Sequence, residues 1–269
     1  MTAGKFHKMH GLGNDFVVID ARRSMVAMPV SRAKAIANRK TGIGCDQLIL
    51  LEPSPIADFK MRIFNADGGE VEACGNAARA VTMLVGGNSS IETLGGVLSG
   101  EALTDGAKVI LNQPRFEWDF IPLEYAMDTA AMPVGWENLQ NPFAVNVGNP
   151  HLVFFVEDAE TVDLQRLGPV IEHDLLFPER INVNVATVVD ERRIRLRVWE
   201  RGVGITRACG TGACATAVAA IRKGLVKSPV TVSLAGGDLE IAWTPGGGIE
   251  MTGGATHVFT GTANWDDFD

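Results

Sequence analysis

Cysteine is scarce in this chain. Four occur among 269 residues (Cys45, Cys74, Cys209 and Cys214), and no two of them form a C-x-x-C pair. That excludes a disulfide scaffold and argues against zinc-ribbon or thioredoxin-type chemistry. Clusters of Lys and Arg are also lacking, and the formal charge is −8. Nucleic acid and anionic membranes are therefore not expected partners. No run approaches the roughly 18 apolar residues of a membrane span. The opening segment, MTAGKFHKMHGLGNDF, has no signal-peptide apolar run. No G-x-G-x-x-G opens a helix after a strand, no phosphate-binding P-loop occurs, and the histidines show no metal-ligand spacing. No cofactor and no metal are expected. What remains, 46% apolar and 21% charged residues, reads as a packed globular protein of the cytoplasm.

The chain repeats itself. Cys74 opens the segment CGNAARAVTMLV and Cys209 opens CGTGACATAVAAI, 135 positions later. The same displacement carries Gly13-Asn14 onto Gly148-Asn149 and Gln47 onto Asn182. It also carries Arg62-Ile63-Phe64-Asn65 onto Arg197-Val198-Trp199-Glu200. Four islands in one register imply two similar halves, each with one copy of a site fragment. Shared fold maintenance explains matched glycines and apolar residues. It explains Asn, Gln, Glu and Cys poorly. Two halves about a pseudo-twofold axis would bring Cys74 and Cys209 face to face.

Short apolar or alternating runs predict strands at 5–7, 16–20, 47–52, 61–64 and 109–112 in the first half. In the second half they predict strands at 143–147, 152–156, 184–189, 194–200 and 230–235. Helical periodicity covers 31–38, 76–84 and 211–223. The expected fold is α/β, with two pseudo-symmetric lobes, each a mixed, barrel-like sheet around a central helix. The last strand, 257–262, is expected to return to the first half. The lobes are expected at 1–115 plus 256–269, carrying Cys74, and at 116–255, carrying Cys209.

In both halves Cys-Gly-polar precedes a helix. The first amides of a helix lack internal partners and form an anion site. The same field is expected to lower a cysteine pKa. Two such ends could clasp one carboxylate, with a sulfur on each face of the adjacent carbon. One thiolate would remove the α-proton and the other thiol would return a proton from the far side. The amides would stabilise the enediolate-like charge, where losing one donor costs roughly 100- to 1000-fold in rate. Single Asn, His or Arg residues more often serve turns, caps or surface ion pairs. Cys45 and Cys214 read as packing residues, and Asp15 and Asp67 as structural turn residues.

At these residues the chain closely resembles the diaminopimelate epimerase family, through KMHGLGNDFVVID, GIGCDQL, FNADGGEVEACGN, GNPH, ERINVN, ERGVGITRACGTGACATAVA and MTGGATHVFTG. The resemblance spans nearly the whole chain. It implies cofactor-independent conversion of LL- to meso-diaminopimelate in lysine and peptidoglycan precursor biosynthesis, with Cys74 and Cys209 as the catalytic pair. It implies that Gly75, Asn76, Gly210 and Thr211 hold the reacting carboxylate, and that Asn14, Gln47, Asn65, Asn149 and Asn182 bind substrate. It places Arg201 on the distal carboxylate, Glu200 near the ammonium, and His151 with Glu200 where the thiols are poised. It admits a homodimer. Ala77, Ala80, Leu152 and Ile205 depart from the family's usual residues. Other classes remain open at this point: a proline-type racemase of the same fold, a thiol redox switch, and a phosphate-binding module.

Overall fold

The computed structural model describes residues 3–71 and 74–269. Its contacts divide into two units. One runs to Ile110 and resumes over Thr252–Asp269; the other is Leu111–Met251.

The first unit is a mixed sheet. Strand Ala3–Gly11 pairs antiparallel with Asn14–Asp20, which runs parallel to Gln47–Glu52. The latter pairs antiparallel with Phe59–Asn65, which takes the short strand Glu70–Val71 antiparallel and Asn88–Thr93 parallel. Asn88–Thr93 then pairs antiparallel with Gly96–Leu103. The second unit repeats these six pairings in the same order and sense. Phe143–Asn146, Pro150–Phe155, Asn182–Asp190, Arg193–Glu200, Gly204–Thr206, Val230–Leu234 and Gly237–Ala242 take the corresponding places. The register is equivalent too: Phe16 lies opposite Gln47, and His151 opposite Asn182. Over the strands from Asn14 to Val71 and their counterparts, the 135-residue displacement is thus a pairing rule as well as a sequence match.

Four α-helices occur among the described residues: α1 (Val30–Ala37), α2 (Gly75–Val85), α3 (Leu164–Glu172) and α4 (Gly210–Arg222). Helices α2 and α4 are the central pair of the repeat. From Gly210 to Ala220 every residue of α4 is buried, and so is α2 from Gly75 to Thr82. Six strands of the second unit touch α4. Its side chains are mostly Ala, Gly and Thr. Alanine favours helix, and small side chains let a sheet wrap closely on several faces. The chain leaves the helix through Lys223 and then Gly224, whose φ of 70° suits glycine. There Gly224 N donates to Ile221 O and Leu225 N to Ala220 O, which satisfies two terminal carbonyls.

One helix and four longer strands lie outside the set predicted from the sequence. Residues 164–172, unassigned from the sequence, form α3 across Gly168-Pro169, a pair that commonly marks a turn. Asp163 caps it by accepting from Arg166 N at 3.3 Å. Tertiary packing supplies the rest: Gly168 lies against the Trp199 ring, where an added Cβ would sit 2.4 Å from Cδ2. Strands Asn88–Thr93, Gly96–Leu103, Gly237–Ala242 and Ile249–Gly254 also lie outside the predicted set. In Asn88–Thr93, Gly96–Leu103 and Ile249–Gly254, Ser, Gly and Thr hide the alternation; Gly237–Ala242 is short and alternates through Leu239 and Ile241 alone. The last strand, Thr256–Asn264, pairs antiparallel with Ala3–Gly11 and so closes the first unit.

Candidate active site

Cys74 is the N-cap of α2. Its extended backbone (φ −143°, ψ 112°) precedes the helix, and its sulfur accepts from Ala77 N at 3.5 Å. Asn14, at the start of strand Asn14–Asp20, directs Nδ2 to the same sulfur at 4.0 Å. One strand pair over, Gln47 Nε2 donates to Asn65 Oδ1 at 3.0 Å. Gln47 Oε1 is buried without a partner among the described residues. Asn76 Oδ1 accepts from Arg79 Nη2 at 2.8 Å, and Arg79 Nη1 donates to Gly75 O at 3.3 Å. The guanidinium is fully buried. It fixes the first turn of α2 from inside.

Cys209 caps α4 in the same way. Its backbone is extended (φ −126°, ψ 107°), and its sulfur accepts from Gly212 N at 3.3 Å. Thr211 Oγ1 lies 3.5 Å from the sulfur. A third neighbour is Glu200, to which the thiol donates. Here the expectation of a lowered pKa is corrected. Burial, and then the Glu200 charge, push the Cys209 thiol well above its usual range, against the pull of Thr211 and the Gly212 amide. The sulfur is enclosed and beside a carboxylate, so the helix end alone does not make it a thiolate. Glu200 is pushed up as well, chiefly by burial, while Thr206 Oγ1 donates to its Oε1.

His151 is fully buried and its two ring nitrogens are taken by amides. Asn184 Nδ2 donates to Nδ1 at 3.0 Å and to Leu152 O at 3.1 Å, which fixes that amide's orientation. The ring proton therefore sits on Nε2 and is donated to Asn149 Oδ1 at 2.9 Å. Burial, joined by the Arg201 charge, lowers the His151 pKa to about 3. This histidine is a neutral strut that carries Asn149; the partners it holds are asparagines and not a thiol. Asn182 Nδ2 donates to Pro150 O at 2.8 Å, and its Oδ1 accepts from Arg201 N at 3.0 Å. Arg201 Nη1 donates to Glu179 O at 3.0 Å. No carboxylate among the described residues pairs with Arg201.

The structure thus groups the expected residues within each unit. Asn14 meets Cys74, and Gln47 meets Asn65. Glu200 and Thr211 meet Cys209, Asn149 meets His151, and Asn182 meets Arg201. Two supporting residues escaped the sequence reading. Asn184 carries His151, and a Cβ on Gly212 would lie 2.7 Å from its Oδ1. Glu172 is 2% exposed and accepts from Trp199 Nε1 at 2.7 Å and from Gly202 N at 2.9 Å. It therefore braces both flanks of Glu200-Arg201. Asn184 had a signal: Asn182-x-Asn184 interrupts an otherwise apolar strand. Glu172 had none, since it lies outside every repeated island.

The family model "Diaminopimelate epimerase" matches residues 6–116 and 143–258. The chain belongs to the diaminopimelate epimerase family. A curated diaminopimelate epimerase of Rhizorhabdus wittichii is 66% identical over 98% of this chain and 97% of its own length. The one of Sphingopyxis alaskensis is 64% identical over 99% of both chains, and that of Zymomonas mobilis 54% identical over 98% of both. The fold is shared more widely. A Bacillus anthracis phenazine biosynthesis protein of the PhzF family superposes with a TM-score of 0.68 at 14% identity, covering 98% of this chain and all of its own. A hydroxyproline epimerase from Agrobacterium vitis gives 0.68 at 13% identity, covering 98% and 91%. Family membership makes the chain an isomerase of the epimerase type, and the capped cysteines are its chemically distinctive groups. No helix of the described residues is long and apolar enough to cross a membrane.

Proposed function

We propose that this chain epimerises LL-diaminopimelate to the meso form without a cofactor, using Cys74 and Cys209 as the two acid/base groups. One observation carries the reading. Each cysteine stands at the equivalent position of a repeated unit, as the N-cap of a buried helix, with an amide three residues on donating to its sulfur. A duplicated fold that needed only packing at these positions would not need a sulfur twice.

The roles follow from chemistry. The reading requires both sulfurs to reach one α-carbon from opposite faces. The amides after Cys74 and Cys209 (Gly75-Asn76 and Gly210-Thr211) take the α-carboxylate and receive the charge that develops when the proton leaves. Glycine at both first positions keeps the backbone approachable. Asn14, Gln47, Asn65, Asn149 and Asn182 supply neutral donors and acceptors along the substrate. Arg201, with no carboxylate partner among the described residues, takes the distal carboxylate through its two-pronged donor face. Glu200 serves the ammonium and poises Cys209: a carboxylate that already accepts the thiol's hydrogen bond is where that proton goes when the thiolate forms. His151 acts indirectly, as the strut of Asn149. Production in the cytoplasm and assembly as a homodimer belong to the same proposal.

Incubation of LL-diaminopimelate in deuterated water tests the reading. Wild-type protein is expected to incorporate deuterium at one α-carbon and to form the meso isomer. Cys74→Ala and Cys209→Ala are each expected to lose net epimerisation, with far-UV circular dichroism unchanged. Full epimerase activity in either variant overturns the two-cysteine mechanism. Exchange into proline but not into diaminopimelate overturns the substrate.

A further inference from the structure

Away from the cysteines, three donor atoms converge on the first and last strands of the first unit. His7 Nδ1 and His257 Nε2 are 3.1 Å apart. Thr260 Oγ1 lies 3.2 Å from His7 Nδ1 and 3.1 Å from His257 Nε2. The triangle is close to equilateral. Two donors about 2.1 Å from one ion and at right angles to each other stand about 3.0 Å apart. The three atoms therefore have the spacing of one face of a coordination shell.

The backbone is bent to produce this. Strand Ala3–Gly11 pairs with Thr256–Asn264 so that His7 faces Thr260, and the register then slips between Lys8 and Met9, leaving His257 opposite Met9. In a regular strand residues 257 and 260 would point to opposite faces. The slip returns His257 to the face of Thr260, the re-aiming that a β-bulge performs. A cross-strand pair with no task would not need the irregularity.

We propose that His7, His257 and Thr260 form a surface site for a late first-row divalent cation such as nickel or zinc, which ties the first strand of the unit to its last. Two imidazoles and a hydroxyl suit these borderline ions rather than magnesium or calcium, which prefer all-oxygen shells. Among the described residues no three His, Cys, Asp or Glu side chains converge on a metal cage, so the hydroxyl and water complete the shell. The His7 pKa is held below its usual value, by burial first and then by the Lys5 and His257 charges, with Asp20 opposing. In the hydrogen bond between the two inner nitrogens one of them carries the proton. On binding, that proton moves to the outer nitrogen of the same ring, and both inner nitrogens present lone pairs with no net proton loss.

The test is calorimetric titration of untagged protein with nickel at neutral pH, on wild type, His7→Gln and His257→Gln. All three keep the four cysteines. Wild type is expected to bind one nickel ion and to melt at a higher temperature in its presence. Each variant is expected to lose at least the roughly 10- to 100-fold in affinity that disturbing a metal ligand's support already costs, and to melt at a temperature nickel no longer raises. The proposal is overturned if wild type gives no binding heat at millimolar nickel. It is equally overturned if either variant binds as tightly as wild type, since the thiols or another group would then hold the ion.

Discussion

At the residue scale, the second unit invests buried polar groups in holding other polar groups. His151 is the clearest case. Its ordinary pKa is 6.5 and its folded value is about 3, so the folded state rejects a proton that the unfolded chain accepts. Between those values the unfolded state binds more protons, and stability rises with pH. The contribution is complete above about pH 6.5 and is lost as pH falls toward 3, at about 1.4 kcal/mol per pH unit while the difference is one full proton. Thermal unfolding of the wild type is therefore expected to weaken between pH 7 and pH 5. His151→Gln should be less stable at pH 7, because Asn149 and Asn184 lose a shaped partner, yet should show a flatter decline over that interval. A variant that loses stability on acidification as steeply as wild type would show that some other group carries the slope. Cys209 makes the complementary point. Its raised pKa marks a resting thiol, so a thiolate at this position has to be generated with Glu200 rather than inherited from the helix end.

At the element scale, α3 braces the strand that carries Glu200. Gly168 of α3 abuts Trp199, and Glu172 of the same helix accepts from Trp199 Nε1. Gly168→Ala would set a Cβ at 2.4–2.6 Å from Cδ2, Cε3 and Cγ of that ring, near its attachment rather than at a flexible tip. Overpacking of this kind typically costs about 1–3 kcal/mol. The expected outcome is a lower melting temperature together with a higher KM, because the turn holding Arg201 moves with Trp199. An unchanged KM would separate α3 from the site. The same helix shows where sequence reasoning runs short. Strands such as Gln47–Glu52 and helices α2 and α4 were legible because their apolar periodicity is strong and each is written twice. Helix α3 contains Gly168-Pro169, two turn-forming residues that the Asp163 cap and packing against Trp199 and the core override. Strands Asn88–Thr93 and Gly96–Leu103 carry Ser, Gly and Thr on the faces where a large apolar side chain would have shown the alternation. The candidate site was legible for a related reason: Asn14, Gln47, Cys74 and their partners fall in repeated islands. The supporting residues of the second unit, Asn184 and Glu172, fall outside those islands: Asn184 left only the trace of a polar residue in an apolar strand, and Glu172 became visible only through its hydrogen bonds.

At the scale of the molecule, the first unit is discontinuous in sequence. It lacks its closing strand until Thr256–Asn264 has been added against Ala3–Gly11. The residue that locks this arrangement is Trp265, 1% exposed and clustered with Phe6, Val17, Ile19, Ile36 and Phe64. Gly4 lies against its ring, where a Cβ would come within 2.2 Å of Nε1, so the first strand is shaped to the indole. Removing a buried indole costs about 3–5 kcal/mol, a large fraction of the roughly 5–15 kcal/mol that holds a protein folded. Trp265→Ala is therefore expected to loosen the first unit selectively. Hydrogen exchange should accelerate at strands Asn14–Asp20 and Gln47–Glu52, which share the Trp265 cluster. It should change little at Asn182–Asp190, whose core is a separate cluster built on Leu152, Phe154, Val183 and Val185. Equal acceleration in both strand sets would mean that the units unfold as one, and that the closing strand stabilises the whole chain. Restriction to the first unit would mean that each copy of the repeat keeps a core of its own, while the chain end completes only the copy that contains Cys74.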